Sequence, residues 1–486
     1  MTDHLYTLSK GELPALNELI DLLGLNKLFQ GEAILKGCDP ILASPHKLGE
    51  AVSYALLLNG VVASAIWDIR TGRKNNLSLN IQDAIHFLHP SHFVWQQGYI
   101  STVRADIQPA NTHFHCRDGR QIWIQNGPPY PKLESGYLNF FNCGNNREAI
   151  AKAISNWNSF ELEEKLAEIG LPGVVVRTRE EWRAHPQGQL LLNTPVIEIE
   201  KIAEGKPYGL QKNAISPLAG INVADLTHVL AGPRSTMGLA EYGASVLHIE
   251  PSYHTDPKSI NLGVNHGKKS AFCNLDCKED HQKLLTLLKE ADIFAQSYRH
   301  SVMEKFGLNA KNVTHLNPNG MIYLSINAFG HQGPWRDRPG FDQNAQMVSG
   351  FAVTEGSLEA PLTSPVFYIN DLLTGYFGTA AMMTALIRRA TEGGSYHVKV
   401  SLTKSCMWAQ DLGLIPPEKY KNRPKTDKYP ERLTTDPSAY TFPPQLREEE
   451  SPYGTITSLV PAVKFSNMPE IAMLPVVPFG SSALRF

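Results

Sequence analysis

The sequence predicts an α/β fold in which a parallel sheet occupies the second half of the chain and a smaller α+β unit precedes it. Three observations carry this. From residue 217 onward, strand-length apolar runs alternate with amphipathic stretches of helix length, the rhythm of consecutive βα units. Between 105 and 203 short strands (IWIQ, GVVVRT) mix with helices such as REAIAKAI and FELEEKLAEIG, the last stopped by Gly170 and Pro172. A stretch rich in Gly, Pro and Lys, 204–220, separates the two, and its first part, 204–216, reads as a linker.

In chain order, residues 12–30 and 47–69 carry helical spacing, the second ended by the turn RTGRKNN before the strand LSLN. The apolar core of that helix, Tyr54–Trp67, is interrupted by Asn59 and Gly60 and reads as a core helix too short to span a membrane. After the linker come INVADLT, a helix through STMGLAEYG, SVLHIE, KKSAFCNLD, a helix EDHQKLLTLLKEA, DIFAQS and GMIYLSINAFG. A helix from Asp371 to about Arg389 and the strand YHVKVSL close this rhythm near 410. In 411–486 proline accumulates, and only YGTITSLV signals regular structure. The divisions are therefore 1–104 (helical), 105–203 (α+β), 204–216 (linker), 217–410 (parallel sheet) and 411–486 (a Pro-rich segment returning to the sheet). One weak repeat crosses them. SAIWDIRTGRKNNLSL and TALIRRATEGGSYHVKVSL share the order helix, turn, strand. Sliding back from the turn sets Ala51 opposite Asp371, so only the second copy is expected to keep the carboxylate.

With 486 residues, 45 Lys+Arg, 47 Asp+Glu and a net charge of −2, no basic nucleic-acid surface or acidic tail dominates. Any anionic ligand must be met by local charge. The N-terminal stretch lacks an apolar core of signal-peptide length, and six cysteines show no CxxC pair, so a reduced, cytoplasmic setting without nucleic-acid or membrane partners is expected. Cys273 and Cys277, and THFHC at 112–116, read as ordinary thiols and histidines, not as a redox pair or metal site.

Asp371 opens a long apolar helix, where the dipole favours negative charge and keeps the carboxylate ionised. A plain helix cap is the simpler reading. A carboxylate nucleophile, however, suits exchange of a carboxylic acid on a thioester, because the anhydride formed has two nearly equivalent leaving groups. The segment Asp225–Pro251 runs strand, Gly-Pro turn, helix, strand to Glu250, the outline of a Rossmann-like nucleotide site. Its glycines at 232, 238 and 243 miss the dinucleotide spacing, which argues against a nicotinamide oxidoreductase. Basic clusters at His266–Ser270 and Tyr298–Gly307 would follow strands and project toward one ligand-binding edge.

Taken in order, DLTHVLAGP with LAEYGASVLHIEP, NHGKKS, SYRHSVMEKFGL, NPNGMIYLSINAFGHQGPWRDRPGFDQNAQMVSG and NDLLTGYFGTAAMMTAL resemble the class III coenzyme A transferases (CaiB/BaiF type), over about 217–405. The family includes formyl-CoA and carnitine-CoA transferases and α-methylacyl-CoA racemases. The resemblance implies an interlocked chain path and Asp371 as nucleophile. Coenzyme A contacts carried over by position fall on Leu230, Ala231, Asn274, Leu275, Ser297, Tyr298, Arg299 and Lys305, Lys268 is expected with Arg299 to supply local charge for the phosphates, and Asp342 is a candidate for positioning or cofactor contact. It implies acyl-CoA and a small carboxylic acid as substrates, no permanently bound cofactor, no metal, and a homodimer, or a single chain that mimics one.

The chain departs from the family where Gln296, Ser297 and Tyr298 replace Glu-Asn-Phe and where Arg234 replaces a small or aromatic residue. Phe341 before Asp342 replaces the histidine of the racemase branch, so transfer is favoured over racemisation. Segment order departs too: 40–205 resembles the end of the core and the small domain, and the core with Asp371 follows. This is the pattern of a partly degenerate tandem. An inactive acyl-CoA-binding relative is the competing class, distinguished by binding without turnover.

Overall fold

The computed structural model describes residues 4–101, 108–127, 130–366, 368–424 and 435–486. The elements that place the site are strands β1 (Ala33–Lys36), β2 (Leu77–Asn80), β3 (Glu198–Ala203), β4 (Asn222–Leu226), β5 (Ser245–Glu250), β6 (Lys268–Phe272), β7 (Ile293–Gln296), β8 (Ile322–Asn327) and β9 (Ser395–Ser401), with helices α1 (Leu48–Thr71), α2 (Ala231–Glu241) and α3 (Ile369–Glu392).

The large sheet runs β6-β5-β4-β7-β8-β9-β3, parallel except for β3, which lies antiparallel on β9. Its central strands are buried on both faces, so they read as continuous apolar runs. The chain builds β4 to β6 outward in one direction and then crosses back to β7, so the β4–β7 pair is a topological switch point. Leu226 pairs with Gln296 there, and the segments after both strands flank one crevice. This is the α/β architecture that the alternating pattern predicts. The α+β unit also has its own core: strands Thr112–His115, Gln121–Ile124 and Gly173–Val175 carry helices packed through Tyr137, Ile150, Leu162 and Leu166.

Under the sheet α3 packs closely on α2. A Cβ at Gly238 would lie 2.4 Å from Thr379 Oγ1, and one at Gly375 would lie 3.0 Å from the Ala231 carbonyl. Only glycine allows that approach. It brings the first turn of α3, with Asp371, to the first turn of α2. Arg234 is absorbed in the same contact, bidentate on Glu241 (2.8 and 2.7 Å) and 5.0 Å above the Tyr376 ring.

Three expectations change. α1 is 24 residues long and apolar enough to cross a membrane by length and composition, yet 89% of its most apolar window is buried inside the protein, where it packs on α3. The Pro-rich C-terminal segment forms a hairpin, Leu446–Ser451 with Gly454–Leu459, that pairs with Trp95–Gln96. The counterpart of Asp371 is Glu50, not Ala51. Each acid is the third residue of a 24-residue helix capped by a glycine of positive φ, Gly72 or Gly393. α3 runs one residue past Thr391 whereas α1 stops at Thr71, so matching the two threonines shifts the register by one.

Candidate functional site

A cavity of about 340 Å³ opens at the switch point, with Asp371 in its wall. The β4–α2 turn, the segment after β7 and the Arg338–Phe341 loop line one side, and Tyr130, Lys132 and Pro172 of the α+β unit close the other. Both units of a single chain therefore build it.

The turn is held from beneath. Buried Asp225 accepts hydrogen bonds from the Thr227 amide and hydroxyl, from Thr236 Oγ1 (2.7 Å) and from Lys268 Nζ (2.9 Å). Burial pushes its carboxyl up, but the charges of Lys268 and His248 outweigh that and hold it well below the usual range. Val229 sits at φ 64, a left-handed conformation costly for a β-branched residue, and persists because its N–H donates to Asp256 Oδ2 (2.7 Å). Asp256 Oδ1 accepts from the Tyr130 hydroxyl (2.7 Å), which ties the turn to the α+β unit. His228 stacks on Tyr298 (4.6 Å) and its N–H donates to Ser297 Oγ (3.0 Å); burial lowers its pKa, so the ring is neutral.

Helix α2 starts at Ala231 with no side-chain cap, which leaves its first amides without partners inside the helix, and Ala231 and Gly232 line the cavity. Arg299 stands exposed at the rim, with no ion pair among the described residues. The uncapped start of α2 and the exposed Arg299 are the groups of this wall suited to an anion.

Asp371 is 7% exposed. Asp342 lies behind it, fully buried, where Oδ2 accepts the N–H groups of Asn370 (2.7 Å) and Asp371 (2.8 Å) while Gln346 donates to Oδ1. Burial, then the charge of Asp342, pushes the Asp371 carboxyl well above the carboxylate range, and burial raises Asp342 as well. The helix dipole alone predicts the opposite; desolvation and a like charge outweigh its effect of about 1 kcal/mol. Between the ordinary carboxylate pKa and these raised values the folded state holds more protons than the unfolded chain, so stability falls as pH rises through that window.

A carboxyl group is nucleophilic only when ionised, so any activity that uses Asp371 in that way is expected to fall as pH drops through a region above the usual carboxylate range. Asp342→Asn removes the like charge, and the acid limb of kcat against pH should move to lower pH while kcat falls roughly tenfold through the weakened backbone anchor. An unmoved limb would show that Asp342 does not set it.

Of the residues named from sequence, Leu230, Ala231, Ser297, Tyr298, Arg299 and Asp371 all line this cavity. Five others stand elsewhere. Lys268 is 1% exposed and its ammonium is engaged by Asp225, Thr236, Asn265 and the Pro233 carbonyl, so it cannot reach a phosphate in the cavity. Asp342 supports the backbone of Asp371 and does not touch the cavity. Asn274 and Leu275 follow β6 outside the lining, and exposed Lys305 pairs with Asp276 at 3.4 Å. Sequence reasoning missed Tyr130, Lys132, His228 and Asp256. Only the last two lie near quoted motifs, and nothing local announces that Tyr130 crosses from another unit. Among the described residues no group of three or more His, Cys, Asp or Glu is placed to hold a metal ion.

Residues 218–436 match the model of CoA-transferase family III. Over 198 residues the chain is 39% identical to acetyl-coenzyme A transferase nodX of Hypoxylon pulicicidum, covering 40% of this chain and 33% of that protein. It is 33% identical over 198 residues to acetyl-CoA:oxalate CoA-transferase of Acetobacter aceti (38% and 51% covered), and 30% identical over 213 residues to human succinyl-CoA:glutarate CoA-transferase (41% and 48%). The chain thus spans between a third and about half of these relatives. A CaiB/BaiF family protein of Brucella suis is 26% identical over 41% of this chain and 56% of its own, with a TM-score of 0.38.

Proposed function

We propose that this chain, whose residues 218–436 belong to CoA-transferase family III, moves coenzyme A between an acyl-CoA thioester and a carboxylic acid through a covalent intermediate on Asp371. The observation that carries this reading is a single buried carboxylate, held by its backbone from Asp342, in the wall of a cavity that the uncapped start of α2 also lines.

The ionised Asp371 attacks the thioester carbonyl, and the tetrahedral oxyanion collapses to a mixed anhydride and CoA thiolate. The thiolate then attacks the Asp371 carbonyl, which releases the first acid and leaves an aspartyl-CoA thioester. An acceptor carboxylate repeats the two steps in reverse, so CoA leaves on the new acyl group and Asp371 is free again. Each step exchanges one acyl bond for another, and no water enters the balance. Backbone amides at the cavity suit the oxyanions, a contribution of about 3 kcal/mol per well-placed donor. The β4–α2 turn and Arg299 suit the phosphates of CoA.

Arg299→Ala should raise KM for acyl-CoA roughly tenfold with kcat little changed, because a rim cation that binds phosphate acts alike on the ground and transition states. A fall in kcat alone would place Arg299 in the chemistry instead. Since both walls of the cavity come from one chain, a monomer in light scattering is expected to turn over, and activity confined to a dimer fraction would contradict this.

A further inference from the structure

The arrangement behind Asp371 occurs twice in this chain. In the second half, β8 leads through Gly340-Phe341-Asp342 to α3, and β9 returns parallel to β8. In the first half, β1 leads through Gly37-Cys38-Asp39 to α1, and β2 returns parallel to β1. Asp39 repeats the part played by Asp342: its Oδ2 accepts the N–H of Glu50 at 2.7 Å, as Asp342 Oδ2 accepts that of Asp371 at 2.8 Å. Burial raises the pKa of Asp39, as it does that of Asp342.

A separate cavity of about 440 Å³ opens over Glu50, lined by Tyr6, Cys38, Lys47, Tyr54 and Lys419 among others. The Glu50 side chain is 15% exposed, and its Oε2 lies 3.3 Å from Lys47 Nζ and 3.4 Å from the Tyr54 hydroxyl. Tyr54 is held protonated, its pKa raised by burial and by Glu50 itself. The pocket thus joins a backbone-anchored carboxylate to two donors able to meet an oxyanion on the same carbonyl. The nucleotide edge is what it lacks. Among the described residues its sheet has four strands, Leu5–Thr7, β1, β2 and Lys464–Phe465, and no counterpart of the β4–β7 switch point.

We propose that Glu50 is a second nucleophilic carboxylate, in a pocket that takes the acyl thioester of a short, pantetheine-length thiol instead of a nucleotide-bearing one. The chemistry rests on the reading given for Asp371. Glu50 attacks the thioester carbonyl, the thiolate leaves and then attacks the glutamyl carbonyl, and a glutamyl thioester forms as the acyl group departs as its carboxylate. Lys47 and Tyr54 stabilise the intervening oxyanion, and Asp39 is a positioning residue.

The full chain and its Asp371→Ala and Glu50→Gln variants, incubated with acyl-CoA or acyl-pantetheine and quenched with hydroxylamine, are read by peptide mass spectrometry for hydroxamate at each acid. In Asp371→Ala the peptide with Glu50 should carry the hydroxamate, and in Glu50→Gln it should not. Removing the nucleotide should lower labelling of Asp371 roughly a hundredfold, because remote binding energy is used there, and change that of Glu50 by less than about threefold. Label on Asp371 alone, from either thioester, overturns this proposal and leaves the Asp371 reading standing. Label on neither acid overturns both, and a Glu50 label that needs the nucleotide overturns the assignment of a short thiol.

Discussion

Asp371→Ala is expected to lower CoA transfer by on the order of 10⁴-fold or more, because removing the nucleophile of a covalent mechanism leaves only binding and oxyanion stabilisation. The measurement is turnover of a panel of CoA thioesters against a pool of carboxylic acids by mass spectrometry. In the same variant CoA should bind nearly as tightly as in the parental chain, since the uncapped start of α2 and Arg299 are untouched. Turnover that survives the substitution would place the nucleophile elsewhere. Binding without turnover in the parental chain would identify an inactive relative.

The second large effect concerns stability. Lys268→Met should destabilise the fold by about 3–5 kcal/mol, since it strips the buried Asp225 carboxylate of its cation and leaves that charge uncompensated. Burial brings the pKa of Lys268 down to about 8 even with Asp225 opposing it, so the ammonium depends on Asp225 to stay charged. A lower urea midpoint at unchanged slope is the expected result. If Lys268 met a CoA phosphate instead, the midpoint would hold and KM for acyl-CoA would rise. Because Asp225 also holds Thr227 and Thr236, looser packing of the β4–α2 turn should follow the loss of stability.

Asp371 was the most legible residue of the cavity wall, because it stands in a long motif whose residues all belong to one helix. Residues assigned by position fall in different places. Leu230, Ala231 and Ser297–Arg299 follow the two strands at the switch point, so strand order alone brings them together. Lys268 reads like a phosphate ligand because a lysine after a turn usually faces water; that Asp225 lies beneath it across two strands is a fact of pairing, not of local pattern.

By itself the sequence determined the alternating βα order and the long helices α1 and α3, because these follow from apolar periodicity and from glycine and proline placement, whereas β3, read as part of the 105–203 unit, pairs into the large sheet. Tertiary structure alone raised the pKa of Asp371, through burial beside Asp342, and closed the cavity with Tyr130. It also decided the register of the repeat. Sequence similarity set Ala51 opposite Asp371, whereas the helix caps and the Asp39 hydrogen bond choose Glu50, because a helix position is fixed by where its backbone is anchored and not by which letters match in the turn that follows.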